Sequence, residues 1–152
     1  MSPLKQVALD TSILVGLIDS RDIWHPAALA LRDALKDAQA QLVHFDCVIS
    51  EAINVLARRA KERKRSSEFT ELLTQVASQA PEDSIIWIST ETRRFCQEII
   101  GLVRDSIGAL NFNDALIALG CRELGIECIA ASDNDFDSIA WLKKLSSSND
   151  IT

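Results

Sequence analysis

Four acidic residues stand where a hydrophobic segment ends or a helical pattern begins. Asp10 closes the run VAL, Glu51 opens the apolar helix pattern EAINVLARRA, Asp114 lies in NFNDALIALG, and Asp133 follows IECIAAS. In an open α/β sheet, residues at such positions converge on the crevice beyond the carboxyl ends of the strands. Carboxylates gathered in one place repel each other, and a hard divalent cation with oxygen ligands relieves that repulsion. The four positions therefore predict a site for Mg²⁺ or Mn²⁺.

Three of these acids also have a purely structural explanation. Asp is a favourable N-cap, so Asp10 suits the start of the helix TSILVGLI. Asn111 and Asp114 have the spacing of a capping box, which places a carboxylate near the positive end of a helix. Asp133 lies in SDNDFD, where Asx turns are common. Taken singly, these three positions leave both explanations open.

Glu51 is harder to explain as a structural residue. Val48 and Val55 stand at i−3 and i+4, so they extend the buried stripe of the helix to the side of Glu51. A carboxylate at the border of an apolar face is partly desolvated and needs a partner. No Lys or Arg stands at i±3 or i±4, and the nearest cation on the same side is Arg58 at i+7. A metal ion, or a cation from elsewhere in the fold, is the expected partner.

The acids are separated by segments that alternate between strand and helix patterns. Strands are expected at residues 5–9, 42–45, 85–88 and 126–131, while residues 141–145 form either a last strand or a short helix. Helices are expected at residues 12–19, 26–38, 48–64, 66–80, 90–104 and 111–124, the last of which ends at Gly125. Alternation of this kind is typical of βαβ units. We therefore expect an α/β fold with a central, mostly parallel sheet of four or five strands.

The order of the acidic motifs resembles the PIN-domain ribonucleases, and the VapC-like toxins in particular. The matching elements are LDTS, a Glu at the head of an apolar helix, NDALIAL and SDNDFDSI, and they extend over nearly the whole chain. The resemblance implies a PIN-like three-layer α/β/α sandwich. It also implies that Asp10, Glu51, Asp114 and Asp133 form a catalytic Mg²⁺ or Mn²⁺ site for phosphodiester hydrolysis. Asp46, in FDC, has no counterpart in this pattern.

The same resemblance implies supporting residues and partners. Asp135 is expected to be a supporting acid, Thr11 or Ser12 to orient the first Asp, and Asn113 to play a similar part. The implied activity is that of an RNA-cleaving endoribonuclease, which belongs to a toxin–antitoxin pair if an antitoxin protein exists. A homodimer is also implied, and a surplus of apolar surface on the first helix and nearby is consistent with it, at residues Ile13, Leu14, Leu17, Ile18 and Trp24.

Two other functions remain as alternatives. A receiver-like Mg²⁺-binding regulatory domain would need an Asp at the end of the third strand, where the sequence reads Trp87-Ile88-Ser89-Thr90. A non-catalytic protein-binding module with a degenerate acidic site fits the same residues as a nuclease does. Turnover by the pure protein distinguishes these possibilities.

Charge is unevenly distributed along the chain. The formal net charge is −6, which opposes binding of a polyanion, but residues 58–65 carry six basic residues against one acid. Arg58 and Arg65 follow Glu51 at i+7 and i+14, so a continuous helix would place them about 10 and 21 Å from it. They are the candidate RNA-binding residues. The alternative is that this segment is a solvated helix end.

Length and composition bound the remaining expectations. With 152 residues, 47% hydrophobic and 25% charged, the chain suits a single globular domain over residues 1–152, with residues 145–152 as a flexible tail. The four cysteines form no CxxC pair, and the sequence has no signal-peptide pattern and no membrane-spanning run. We therefore expect a cytoplasmic protein that keeps its cysteines reduced and does not associate with a membrane.

Overall fold

The computed structural model describes residues 6–151, which form alternating strands and helices. In chain order these are β1 (Gln6–Leu9), α1 (Thr11–Ile18), α2 (His25–Asp37), β2 (Gln41–Phe45), α3 (Asp46–Glu62), α4 (Phe69–Gln79), β3 (Ile85–Ile86), α5 (Thr92–Asp105), α6 (Phe112–Leu124), β4 (Cys128–Ala130) and β5 (Lys143–Leu145). Lys5, which we expected at the start of the first strand, lies outside the described residues.

The strands form one parallel sheet in the order β3-β2-β1-β4-β5. In the register of the sheet, Val7 lies opposite Leu42 of β2 on one side and opposite Cys128 of β4 on the other. The chain moves outward in one direction from β1 to β3 and in the other from β4 to β5. Strand order therefore reverses between β1 and β4, and in open α/β sheets ligands bind beyond the carboxyl ends of the strands at such a point.

Helices cover both faces of the sheet because alternate strand residues point to opposite sides. Val7 and Leu9 belong to a cluster with α1 and α2, which includes Leu31 and Leu35. Ala8 belongs to the larger cluster on the other face, with residues from α3, α5 and α6. The predicted three-layer α/β/α sandwich is confirmed, and the number of strands in the described residues is five.

Local signals at several helix ends are confirmed. Asp10 is the N-cap of α1, and its side chain accepts the Ser12 backbone N–H. Asn111 and Asp114 form the predicted capping box of α6. Gly125 ends that helix with φ +68°, a left-handed conformation that glycine adopts without steric cost.

Helix α3 ends earlier than predicted, at Glu62. Lys64 adopts a left-handed conformation with φ +55°. The Arg65 N–H then bonds back to the Ala60 carbonyl oxygen at 2.7 Å, which is the pattern of a Schellman motif. Because the chain reverses here, Arg65 does not continue the helical face of Glu51.

The predicted strand at residues 85–88 is shorter because its end is bound to another element. Asp46 Oδ1 accepts the backbone N–H groups of Ile88 at 2.8 Å and Ser89 at 3.2 Å. These bonds hold residues Ile88–Glu91 in a 3₁₀ turn, and only Ile85–Ile86 pair with β2. Asp46, the acid with no counterpart in the PIN pattern, therefore stabilises a turn.

The C-terminal segment is more ordered at its start than predicted. Leu145 is buried as the last residue of β5, so the expected tail cannot begin there. Beyond it, Ser147 and Asp150 form a capping box around a 3₁₀ turn, and Ile151 packs against the cluster that contains α2. Across residues 6–151 we find no helix with the length and hydropathy needed to cross a membrane.

The apolar residues of α1 are buried within the single chain. Ile13, Leu14, Leu17 and Ile18 are each no more than 7% exposed. Ile13 and Leu17 belong to the cluster on one face of the sheet, and Leu14 and Ile18 belong to the cluster on the other face. Our expectation that these residues leave a surplus of apolar surface is therefore wrong. Of the group named in the sequence, only Trp24 is exposed.

Candidate active site

One cleft at the carboxyl ends of the strands contains all the acids singled out in the sequence except Asp46. It has a volume of about 370 Å³ and lies beside the reversal of strand order between β1 and β4. Asp10 directly follows β1, Glu51 lies in the second turn of α3, Asp114 lies in the first turn of α6, and Asp133 follows β4. Asp135 lines the same cleft. Elements far apart in sequence thus bring five carboxylates together.

Asp10 and Asp114 are equally buried, each 5% exposed, and the pKa of Asp10 is raised more than that of Asp114. Burial, together with the negative charge of Asp133, raises the pKa of the Asp10 carboxyl to about 7. The hydrogen bond from Ser12 opposes this shift, and the charge of Asp114 adds to it. Without a bound cation, burial and repulsion therefore disfavour the ionised form of Asp10 at neutral pH.

Asp114 shows the same behaviour to a smaller extent. Burial raises the pKa of its carboxyl to about 6, although the hydrogen bond from the Asn111 N–H opposes the change. That bond is 3.0 Å long and belongs to the capping box of α6. The charges of Asp135, Glu51 and Asp133, which line the same cleft, contribute to this rise of the pKa.

The remaining acids are held by short-range contacts. The Asp135 backbone N–H donates to Asp133 Oδ1 at 3.2 Å, and burial followed by the charge of Asp133 raises the pKa of the Asp135 carboxyl. Glu51 is half-buried, and its Oε2 lies 3.5 Å from the Asn113 amide nitrogen, at the limit of a hydrogen bond. Asn113 is thus positioned to orient Glu51.

Two hydroxyl residues follow Asp10, and they differ in their contacts. Ser12 Oγ donates to Asp10 Oδ2 at 2.8 Å and accepts the Ser132 N–H at 3.1 Å. It therefore links the end of β1 to the segment after β4. Thr11 Oγ1 is buried and bonds no protein atom in the described part of the chain, although Thr11 lines the cleft.

The donor set of the cleft suits a hard cation. Its side chains offer carboxylate oxygens, and none of the described lining residues is His or Cys, which Zn²⁺ sites usually contain. Between residues 6 and 151, no three His, Cys, Asp or Glu side chains lie in an arrangement that already encloses an ion. The carboxylates therefore surround an open cleft, and they would have to move together to coordinate one ion.

Of the two predicted RNA-binding arginines, only Arg58 lies at the cleft. Arg58 is exposed and lines it. Arg65 is 7% exposed, and its guanidinium pairs with Asp19 at 3.4 Å and with Glu68 at 3.7 Å. A buried, paired guanidinium is not available to a phosphate group. The predicted role of Arg65 is therefore wrong, for the reason that α3 ends before it.

Among the cleft residues that the sequence did not single out as site residues are Asp22, Trp24 and Arg59. Arg59 Nη1 bonds Asp22 Oδ2 at 2.8 Å and Asp19 Oδ2 at 3.1 Å, so α3 holds the loop between α1 and α2 against the cleft. The sequence signal for this arrangement is weak. It consists of two acids three residues apart in a loop and an arginine on a helix.

Comparisons with known proteins agree with this fold. The family model of the PIN domain matches residues 7–142, whereas no curated protein matches the sequence significantly. Among solved structures, one similar protein is VapC20 of Mycobacterium tuberculosis, described as a sarcin–ricin loop cleaving toxin. It is 20% identical with a TM-score of 0.67, over 90% of this chain and 96% of that one.

A second similar structure is VapBC2 of Rickettsia felis, bound to a DNA fragment from the promoter of that pair. It is 16% identical with a TM-score of 0.66, over 92% of this chain and 97% of that one. These identities are low, so the two structures show a shared fold. The match to the family model extends over most of the sequence and includes all four acids expected to bind metal, Asp10, Glu51, Asp114 and Asp133. This chain belongs to the PIN domain family.

Proposed function

We propose that this protein is a divalent-metal-dependent endoribonuclease that hydrolyses RNA phosphodiester bonds. The observation that supports this most is the convergence of Asp10, Glu51, Asp114 and Asp133 on one cleft. Burial and mutual repulsion raise the pKa of two of them, Asp10 and Asp114. Shifts of this kind are concentrated at functional sites, and here a divalent cation would relieve the repulsion.

In this proposal the four acids are metal ligands, and Asp135 is a supporting acid. When bound, Mg²⁺ or Mn²⁺ lowers the pKa of a water molecule and offsets charge on the scissile phosphate. Ser12 fixes the orientation of Asp10 through its 2.8 Å hydrogen bond, and Asn113 does the same for Glu51. One of the carboxylates accepts the proton of the attacking water. Arg58, at the edge of the cleft, binds a neighbouring phosphate.

The comparisons support a narrower proposal, that the protein is the toxin of a toxin–antitoxin pair. One structural neighbour is described as a sarcin–ricin loop cleaving toxin, and the other is VapBC2 bound to a DNA fragment from its promoter. We therefore propose an antitoxin protein as a partner. A homodimer is proposed from the family resemblance alone. The four free cysteines fit a reducing, cytoplasmic location, which stays a prediction.

The deciding experiment is cleavage of single-stranded RNA by the purified protein. We expect turnover with Mg²⁺ or Mn²⁺ and none with EDTA. Asp10→Asn and Asp114→Asn should each lose most activity, since an amide is a weak ligand for these ions. Asp46→Asn is the matched control, because Asp46 begins α3 but does not line the cleft, and an amide oxygen can still accept the Ile88 N–H. Undiminished cleavage in EDTA, or by folded Asp10→Asn, contradicts the proposal.

A non-catalytic binding module with a degenerate acidic site is the second candidate. One observation favours it, since Asp10 and Asp114 both cap helices and so have structural roles in any case. Absence of metal-dependent turnover by the pure protein would support it. A receiver-like domain is disfavoured because the residues after β3 include no Asp before the 3₁₀ turn, and its strand order would differ.

A further inference from the structure

Trp24 is the one aromatic side chain among the described residues that line the acidic cleft. It is 48% exposed, although its neighbours in the cleft are mainly charged or polar. A large apolar ring in this position adds little to the core, because much of its surface remains in contact with water. Its position in a cleft lined by carboxylates therefore requires another explanation.

Three hydrogen bonds hold the loop that carries Trp24 in place. Its N–H donates to Asp22 Oδ1 at 2.8 Å, and the other oxygen of that carboxylate accepts from Arg59 of α3 at 2.8 Å. The adjacent His25 Nδ1 lies 2.7 Å from the Gly16 carbonyl oxygen. The ring is thus presented on a constrained loop, so little conformational entropy is lost when a ligand packs against it.

The absence of a side chain at Gly16 permits this close approach. A Cβ atom at Gly16 would lie 3.2 Å from Ala28 Cβ and 3.8 Å from Trp24 Cβ. The loop between α1 and α2 therefore packs directly on α1, and the stem of Trp24 lies against the helix while half of the side chain faces solvent. Only a face of the ring that is turned away from the protein is available to a ligand.

A nucleotide that enters the cleft would bring a flat, apolar base together with its phosphate. Exposed aromatic rings stack on unpaired bases with little dependence on sequence, whereas the bases of a duplex are already stacked on each other. We propose that Trp24 is a stacking platform that selects an unpaired nucleotide beside the phosphate to be cleaved. This inference rests on the proposed ribonuclease function and assigns Trp24 as the residue that contacts the base beside the scissile phosphate.

The test measures whether Trp24 recognises the base itself. A six-nucleotide single-stranded RNA and an abasic ribose-phosphate oligomer of the same length are titrated in Ca²⁺, and gels verify that the RNA stays intact. The variants are Trp24→Leu, which removes the aromatic ring, and Trp24→Phe, which keeps one. Trp87→Leu is the matched control, because Trp87 is 59% exposed and does not line the cleft.

We expect the wild type to bind the RNA about 5- to 100-fold more tightly than the abasic oligomer, the range for stacking of one base. Trp24→Leu should remove most of this preference, Trp24→Phe should retain part of it, and Trp87→Leu should leave it unchanged. The ratio of the two affinities is the readout, since partial unfolding lowers both affinities alike. A duplex of the same sequence should bind wild type and Trp24→Leu equally.

Two results would overturn the inference. One is a wild type without any preference for the base-bearing oligomer. The other is a Trp24→Leu variant with the wild-type preference, which would show that the indole does not recognise the base. If metal-dependent cleavage accompanies the second result, only the stacking platform fails. If the preference depends on Trp24 but no cleavage occurs with any metal, the platform stands and the proposed hydrolysis fails.

Discussion

Ser12 Oγ donates a 2.8 Å hydrogen bond to Asp10 Oδ2, and the same oxygen accepts the Ser132 N–H at 3.1 Å. One hydroxyl therefore orients the acid after β1 and ties it to the segment that leads from β4 to Asp133. The Ser12 bond also lowers the pKa of Asp10, against the larger effect of burial. Several measurable consequences follow from the surroundings of this carboxylate.

The first prediction concerns Ser12→Ala. Loss of the bond should reduce metal affinity or cleavage about 10- to 100-fold, which is typical when a partner that orients a metal ligand is removed. Because the bond favours ionised Asp10, its loss raises the pKa of that carboxyl, and the acidic limb of the pH–rate profile should move to higher pH. The profile is measured at a fixed metal concentration below saturation, where protonation of Asp10 competes with binding of the metal.

Thr11→Val is the comparison for this variant. It removes a neighbouring hydroxyl that bonds no protein atom within the described residues. The acidic limb should then stay where it is in the wild type. Equal displacement of the limb in both variants would contradict an orienting role that belongs to Ser12.

The second prediction concerns stability without metal. The folded pKa of Asp10 is about 7, above its ordinary value of 3.8, so the folded state holds this proton more tightly than the unfolded state does. The resulting stabilisation is fully present below pH 3.8 and is lost as the pH rises through about 7. Over that range the wild type should lose about 4 kcal/mol of unfolding free energy relative to Asp10→Asn.

Denaturant unfolding in EDTA, at several pH values between 4 and 8, measures that difference. Other groups titrate in both proteins, for example buried His44, whose pKa burial lowers to about 4. The comparison with Asp10→Asn removes most of their contribution. Parallel stability curves for the two proteins would contradict the shifted pKa of Asp10.

The third prediction concerns stabilisation by metal. A cation that binds only the folded state raises the unfolding temperature by mass action. Millimolar Mg²⁺ or Mn²⁺ should therefore raise the Tm of the wild type at neutral pH, and of Asp46→Asn as well. The double variant Asp10→Asn, Asp114→Asn should gain little, as measured by thermal denaturation. Equal gains in wild type and double variant would exclude these acids as the ligands.

The fourth prediction separates the two arginines that the sequence grouped together. Arg58→Ala should weaken binding of single-stranded RNA and flatten the plot of log affinity against log salt by about 0.7, the effect of one lost phosphate contact. Its unfolding free energy should hardly change, because the side chain is exposed. A salt titration in Ca²⁺ provides the slope, and an unchanged slope would rule out a phosphate contact.

Arg65→Ala should behave in the opposite way. Asp19 is only 2% exposed at its side chain and would lose one of its two arginine partners, so unfolding free energy should fall by about 3 kcal/mol. The salt slope of RNA binding should remain that of the wild type. A shallower slope with unaltered stability would restore Arg65 as an RNA contact.

Much of this protein was determined by its sequence alone, wherever the relevant interactions are local. The order of strands and helices, the capping box of Asn111 and Asp114, and the end of α6 at Gly125 all depend on residues within a few positions of each other. Hydrophobic periodicity was sufficient to predict a parallel α/β fold, because strands and helices require different spacings. The acids could be found as candidates because each stands at the end of such an element.

Tertiary structure alone decided which of these residues act together. Asp10 and Asp133 are 123 positions apart, and they meet because β1 and β4 are neighbours in the sheet. The reversal at Lys64 buried Arg65 beside Asp19, and the bonds from Asp46 to the Ile88 turn removed that acid from the site. The position of Trp24 at the cleft depends on Arg59 of another helix. Contacts of this kind join distant segments, and no local pattern encodes them, since their energies exist only after the chain has folded.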